Sequence, residues 1–267
     1  MPKIRILVAT HKKYPMPNSN IYLPVFVGAK NSQANLVCQR DDDGINISEK
    51  NPYYCELTAI YWAWKNPEKI NADYVGLAHY RRHFALKKAG RTPEERIANI
   101  LTEKQASRAL KTSNIVLPKL RKYYIENLYD HYTHTMEPAP LIETEKIIKK
   151  LYPDYLPEFR NLHTRTSAHM FNMFIMRRDI FDNYCKWLFD ILAELEKSME
   201  KKSKSYNAFQ ARFYGRISEL LLDVYLRTNH LDYTEVGAID IENINWIKKG
   251  FSFIIAKVAG KKYDKSF

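Results

Sequence analysis

Two short apolar runs, Ile4 to Ala9 (IRILVA) and Tyr74 to Ala78 (YVGLA), each stop at a cationic cluster. The first is followed by Thr10-His11-Lys12 and the second by His79-Tyr80-Arg81-Arg82-His83. Runs this short, apolar on both faces and rich in β-branched or compact residues, read as strands covered from both sides, the pattern of a parallel sheet between helices. Such sheets bind ligands at the carboxyl ends of their strands, so both clusters are candidate ligand contacts. Further strands are expected at Tyr22 to Val27, Asn35 to Cys38, Ile115 to Leu117 and Phe171 to Met176 (FNMFIM).

Helical signals fill the intervals. Asn51 is expected as an N-cap with Pro52 in the first turn, and Leu57, Ile60, Tyr61 and Trp64 then follow at i, i+3, i+4 and i+7, with the helix ending near Asn66-Pro67. Residues 103–112 also read as helix, whereas Ala85 to Arg96 reads as a polar loop. Arg121 to Pro140 is rich in Tyr and His without a clear period and receives no assignment. Farther on, Ile180, Phe181, Tyr184, Trp187, Leu188, Ile191, Leu192 and Leu195 mark one amphipathic helix, and Phe209, Phe213, Ile217, Leu220, Leu221 and Val224 mark another. The expectation is an α/β, Rossmann-like, mostly parallel sheet flanked by helices, with a helical C-terminal half. One domain is expected over residues 1–245, followed by a tail at 246–267.

Charge narrows the partner. The chain has 42 Lys and Arg against 30 Asp and Glu, a formal +12, which suits nucleic acid, an anionic membrane face or a nucleotide diphosphate. With only 8 glycines it contains neither G-x-x-x-x-G-K-[ST] nor G-x-G-x-x-G, so phosphate must be held otherwise. Cys38, Cys55 and Cys185 form no C-x-x-C pair, which argues against a thiolate metal site. No apolar stretch approaches the roughly 20 residues that span a bilayer, and a cytoplasmic location is expected. The tail mixes Trp246, Phe251, Phe253, Ile254 and Ile255 with six lysines, which fits either an anionic membrane surface or a packing helix with a solvated face.

Candidate site residues follow. A helix starting at Asn51 would aim its N-terminal N–H groups at the sheet edge, with Asp43, Asn46 and Ser48 beside it; Asn46, Ser48 and Asn51 could each equally be only a turn or cap residue. Glu56, set among Tyr and Trp, needs a partner or a ligand. Of the adjacent Arg81 and Arg82, one can face a phosphate while the other anchors structure. His79 and His83 lack the Glu of H-E-x-x-H and follow a strand, so no metal site is assigned to them. His169 and Asn172 lie at a strand start, and Arg212, Arg216 and Glu219 share a helix face, where a helical salt bridge and a cleft-facing base are both open readings.

Five ordered blocks resemble the bacterial capsular and exopolysaccharide glycosyltransferases first catalogued as a domain of unknown function, some of whose members are galactofuranosyltransferases. The blocks are VATHK at Val8 to Lys12, DDDGINISEKNPYYCELTAIYWAWKN at Asp41 to Asn66, YVGLAHYRRHF at Tyr74 to Phe84, FNMFIM at Phe171 to Met176 and RFYGRISELLLDVYL at Arg212 to Leu226. The resemblance implies a GT-A-like fold, a nucleotide-sugar donor, expected to be a UDP-sugar, and transfer to a lipid-linked glycan; with the basic aromatic tail, a peripheral place on the inner face of the plasma membrane is expected. On that fold the strand ending in His79-Tyr80-Arg81 occupies the place where many GT-A enzymes carry Asp-x-Asp, so the implied divalent metal is placed in doubt. The donor site is then expected to use Thr10, His11, Lys12, Asp43, Asn46, Ser48, Asn51, His79, Tyr80, Arg81, Arg82, Asn172 and Arg212, with Glu219, Glu56 and His169 as candidate bases in that order. A basic RNA-binding module would explain the charge but not the polar segment that feeds a buried W-x-W helix, so no nucleic-acid partner is expected. A non-catalytic glycan-binding relative stays open.

Overall fold

The computed structural model describes residues 2–87 and 90–242; the expected membrane-contacting tail lies outside the described residues. Strand β1 (Ile4–Thr10) runs parallel to β2 (Tyr22–Phe26) on one side and to β4 (Tyr74–His79) on the other. β3 (Gln39–Arg40) extends the sheet beyond β2. After the antiparallel β5 (Arg82–Phe84) come β6 (Ile115–Pro118) and β7 (Arg121–Lys122), then β8 (Ser167–Ala168), which pairs with β7 in a separate two-stranded sheet. β9 (Phe174–Arg177) lies antiparallel between β4 and β6, while β10 (Thr234–Val236) runs parallel to β6 at the edge, and β11 (Ala238–Asp240) pairs with β5. The main path reads β10-β6-β9-β4-β1-β2-β3, with β9 alone reversed.

Side-chain alternation along β1 divides the core. Leu7 and Ala9 join one apolar cluster and Ile4, Ile6 and Val8 the other, so both faces are buried, as the unbroken apolar run requires. The larger cluster packs under α1 (Asn51–Tyr54), α2 (Leu57–Lys65) and α3 (Pro67–Ile70). The opposite face is covered by α4 (Pro93–Ala98) and α5 (Glu103–Ala109). The helical half comprises α6 (Leu128–Thr135), α7 (Pro138–Leu151), α8 (Leu156–Arg160), α9 (Arg178–Ser203) and α10 (Phe213–Thr228), all on the larger cluster. Phe181, Tyr184, Trp187, Leu188, Ile191, Leu192 and Leu195 of α9 are buried at the expected helical spacing. At about 1.5–3 kcal/mol per fully buried large apolar side chain, α9 is among the strongest single contributors to the core.

Several expectations are corrected. The strand foreseen at Asn35 to Cys38 forms instead at Gln39–Arg40, because Asp41 anchors that end: its N–H donates to the Phe26 carbonyl (3.0 Å), and its carboxylate accepts from the Gly28 and Ala29 N–H groups. The polar stretch read as a loop contains α4, capped by Thr92. FNMFIM supplies a strand only from Phe174, since Phe171 (φ 78°) and Asn172 (φ 53°) turn the chain through the left-handed region. In β4, Gly76 is required by proximity: a Cβ there would lie 2.8 Å from the Phe174 carbonyl oxygen.

Candidate active site at the carboxyl edge of the sheet

The helix expected to run from Asn51 to Asn66 is broken. Cys55 adopts φ 53° and ψ −131°, ends α1, and lets α2 restart after Glu56. Asn51 is not an N-cap, because a 3₁₀ turn at Ser48–Lys50 already precedes it and leaves it helical (φ −53°). Its side-chain amide instead donates to the Cys55 carbonyl (2.7 Å) and to Thr58 Oγ1 (3.3 Å), fastening the break. Gly28 leaves room for that side chain; a Cβ at Gly28 would meet Asn51 Oδ1 at 2.6 Å. A four-residue α1 has little dipole to offer an anion, so the anion site expected at the Asn51 helix start is not formed by it.

The other polar residues of this segment hold their own loop. Ser48 is fully buried, donates to Asp41 Oδ1 (2.5 Å) and accepts from the Lys30 N–H. Asn46 donates to the Asp42 and Gly44 carbonyls, and Asp43 is exposed in an ion pair with Lys69 (2.5 Å). Asp43, Asn46, Ser48 and Asn51 are therefore loop-forming residues here, with their polar atoms already engaged. What the break does achieve is to place Glu56. Its Oε1 accepts from Asn172 Nδ2 at 2.7 Å, which joins the α1–α2 break to the turn before β9.

Around this contact the strand ends deliver cations. Thr10 is buried, and its hydroxyl donates to the Lys12 carbonyl (2.6 Å), shaping the bend that exposes His11 and Lys12. Tyr80 packs beneath: its ring meets His11 and Tyr14 edge-on, Lys12 Nζ lies 5.4 Å from its centre and the Arg81 guanidinium 5.3 Å. His79 Nε2 lies 2.5 Å from the Phe171 carbonyl; a carbonyl can only accept, so Nε2 carries the proton. The two adjacent arginines differ in their surroundings. Arg82 donates to Asp240 (2.7 Å) and lies 3.6 Å above the Phe171 ring, whereas Arg81 is exposed and forms no ion pair among the described residues.

Arg212, which ends the 3₁₀ turn before α10 rather than lying on the helix as expected, closes the site with Arg216 and Glu219 of α10. Arg212 is exposed and directs Nε at Cys55 Sγ (3.1 Å). Burial pushes the Cys55 thiol up to about 11, so it stays protonated at neutral pH. Glu219 is 6 % exposed and lies 3.5 Å from Arg216, so the helical ion pair exists. Burial holds the Glu219 carboxyl above the usual range; the charge of Glu56 adds to this, and Arg216, His79 and Arg121 oppose it. Two carboxylates thus share one cationic neighbourhood, and the buried one is biased toward its neutral form. On the other side, partial desolvation lowers the His11 pKa, and the charges of Lys12, Arg81 and Arg212 lower it further.

Sequence reasoning missed Arg121, whose guanidinium lies 5.1 Å from the Tyr123 ring and 5.8 Å from the Phe171 ring. It lies at the start of the aperiodic segment, and only its charge could have marked it. His169 moves in the opposite direction. It is 1 % exposed, with Nδ1 on Asp223 (2.5 Å) and Nε2 on Glu235 (3.0 Å), so neither nitrogen is free to accept a substrate proton and it leaves the set of candidate bases. Among the described residues no group of three or more His, Cys, Asp or Glu side chains is arranged to hold a metal ion. Nor is any described helix long and apolar enough to cross a membrane.

Residues 5–230 match the model of a protein family described as a domain of unknown function, DUF4422. Among solved structures, the chain is similar to an apo structure of the WbbM bifunctional glycosyltransferase, with 34% identity and a TM-score of 0.81 over 90% of this chain and 46% of that one. The chain therefore spans about half the length of that neighbour. No curated protein matches it. The architecture is the GT-A-like, mostly parallel α/β sheet that the resemblance implied. The chain belongs to the DUF4422 family.

Proposed function

We propose that this DUF4422 chain is a glycosyltransferase that moves a sugar, with galactofuranose the first candidate, from a UDP donor to a hydroxyl of a lipid-linked glycan for the bacterial cell surface. The observation that carries the reading is the composition of the sheet's carboxyl edge: Lys12, Arg81, Arg121 and Arg212, none in an ion pair with a carboxylate among the described residues, with Lys12, Arg81 and Arg212 beside His11, Arg212 beside Glu56, and Arg121 and Arg212 beside Glu219. The likeness to a bifunctional glycosyltransferase supports the reaction class.

In this reading the departing UDP develops negative charge as the bond from its terminal phosphate oxygen to the anomeric carbon breaks. Fixed cations at that place stabilise the transition state more than the ground state. Arg81 and Lys12, which make no ion pair among the described residues, lie at the ends of β4 and β1 and fill this role, while Arg82 is committed to Asp240. The strand end offers His79-Tyr80-Arg81 where an acidic pair would hold a divalent ion, and residues of that charge do not suit one; departure is proposed to proceed on protein cations.

Glu56 is the base. One of its oxygens is held by Asn172 and the residue is half-buried, whereas Glu219 is enclosed and biased toward the neutral acid. Glu56 takes the proton of the acceptor hydroxyl as that oxygen bonds to the anomeric carbon from the face opposite UDP, giving inversion. A location at the inner membrane face, where a lipid-linked acceptor is presented, belongs to the same proposal.

The test is UDP release by the purified full chain with a panel of UDP-sugars including UDP-galactofuranose, with and without a polyprenyl-diphosphate-linked oligosaccharide. Acceptor-dependent release from one donor that survives EDTA is expected. Absence of release from every donor overturns the reaction class; loss in EDTA with recovery in Mn²⁺ overturns the metal-independent departure.

A further inference from the structure

The contacts of Asn172 are more specific than a donor-binding role requires. The residue is 1 % exposed, so it cannot reach a nucleotide without a rearrangement. Its three polar contacts are complementary: Nδ2 donates to Glu56 Oε1 (2.7 Å) and to the Gly215 carbonyl (3.3 Å), while Oδ1 accepts from Ser218 Oγ (2.9 Å). Rotating the amide by half a turn would set its oxygen against a carboxylate and a carbonyl, two acceptors, and its NH₂ against the hydroxyl. The chemistry of the neighbours therefore fixes which way the amide faces.

The backbone supports the same arrangement. Cys55, Phe171 and Asn172 all have positive φ (53°, 78° and 53°), and none is glycine. Positive φ costs of order 1 kcal/mol or more at Cys55 and Phe171 and less at Asn172, since asparagine tolerates it, and it persists where surrounding contacts hold it. Here the two unusual turns face each other, with the residue after Cys55 bonded to Asn172. The Phe171 carbonyl is held in turn by His79 at the end of β4. The end of β4 and α10 thus hold the turn that carries Asn172, and Asn172 in turn holds one carboxylate oxygen of Glu56.

We propose that Asn172 is the positioning residue of the base: held by Ser218 and the Gly215 carbonyl of α10, it fixes one oxygen of Glu56 so that the other faces the acceptor hydroxyl. This rests on the reading of Glu56 as the base. Asn172 touches no reacting atom; it acts through Glu56, and Ser218 acts through Asn172. Removing the amide donor withdraws a hydrogen bond from the ionised carboxylate and lets it turn. Replacing it with a second carboxylate sets two acids at hydrogen-bonding distance, which must share a proton.

The experiment measures kcat, KM and the pH profile of UDP release from UDP-galactofuranose with the polyprenyl-diphosphate-linked acceptor, for Glu56→Gln, Asn172→Ala, Asn172→Asp and Ser218→Ala, with circular dichroism to verify folding. Glu56→Gln is expected to be inactive. Asn172→Ala should lower kcat by about 10- to 100-fold, by analogy with the loss when a hydrogen-bond partner that orients a metal-ligating side chain is removed, with donor KM within about twofold. In Asn172→Asp the acid limb of the profile should move to higher pH by about one unit or more, a shift that a merely structural defect would not produce. Ser218→Ala, the mildest change, should show a smaller fall in kcat with the same unchanged KM. An inactive Glu56→Gln beside Asn172 or Ser218 variants with the wild-type kcat and profile overturns the proposal and leaves the base intact. An active Glu56→Gln overturns the base assignment, and the role of Asn172 with it.

Discussion

Arg81 and Arg82 are neighbours in sequence with opposite duties, and their alanine variants should separate stability from chemistry. Arg82→Ala removes a guanidinium from Asp240 (2.7 Å) and from the face of Phe171 (3.6 Å). The two charged side chains are 20% and 24% exposed, so the pair is only partly desolvated. Its loss should cost less than the roughly 3–5 kcal/mol of a fully buried pair left with one member. Adding about 1 kcal/mol for the lost cation–π contact gives about 2–4 kcal/mol in all. In a chain of 267 residues each kcal/mol moves the melting temperature by roughly 2–4 °C, so Arg82→Ala should melt roughly 4–16 °C below the parent. Arg81 is exposed and unpaired among the described residues, so Arg81→Ala should melt within about 2 °C of the parent. Its kcat should nevertheless fall roughly 10²- to 10³-fold, the loss typical of removing one fixed donor to a developing anion. Thermal unfolding followed by circular dichroism, paired with UDP release below both melting points, gives the two readouts. An Arg81→Ala protein with the parental kcat, or an Arg82→Ala protein with the parental melting temperature, refutes this division of labour.

Acid should expose His83. Its ring is fully buried, neither nitrogen makes a well-formed hydrogen bond among the described residues, and burial, only partly offset by the backbone of Tyr80, pushes its pKa down to about 4 from 6.5. The unfolded chain therefore binds the extra proton first; the contribution is complete above 6.5, is lost as pH falls toward about 4 and amounts to about 3 kcal/mol. Urea melts at pH 7 and 4.5 should accordingly show a smaller acid loss in His83→Leu than in the parent. Gly76→Ala places a Cβ 2.8 Å from the Phe174 carbonyl in the middle of the sheet and should cost about 1–3 kcal/mol in a denaturant titration. His169→Asn should lower the melting temperature by disrupting the Asp223–Glu235 bridge while leaving the acid limb of the activity profile where it was; a moved limb would return His169 to the chemistry.

The framework was legible because its signals are periodic. β1, β4 and β6 announce themselves as apolar runs buried on both faces, and α9 as a regular stripe from Phe181 to Leu195. The cations at the ends of β1 and β4 follow directly, since a strand's terminus locates whatever comes next. Features governed by distant contacts were not legible. The break at Cys55 lies inside a sequence that reads as one helix, and it depends on Asn51 reaching forward to the Cys55 carbonyl. Asn46, Ser48 and Asn51 have the composition of either a ligand loop or a self-supporting one, and only their partners decide. Arg121 and α6 lie where Tyr and His obscure the helical period, and His169 gave no sign of the two carboxylates that occupy it. The contact between Glu56 and Asn172 joins residues far apart in sequence, which no local pattern encodes.

The reversed strand β9 also sets an order of assembly. β1, β2, β3 and β4 can form a parallel half-sheet from the first 79 residues, but β6 has no place beside β4 until β9 is available to lie between them. β9 is made roughly a hundred residues after β4, so during synthesis the stretch of β4 from Tyr74 to Leu77 that β9 will pair waits without that partner over the whole interval. Closing such a long loop is slow, and an open strand edge is a site for pairing with another chain. The four residues Phe174–Arg177 are thus the kinetic keystone of the domain: substitutions there should slow maturation and promote aggregation during synthesis even where the finished protein tolerates them.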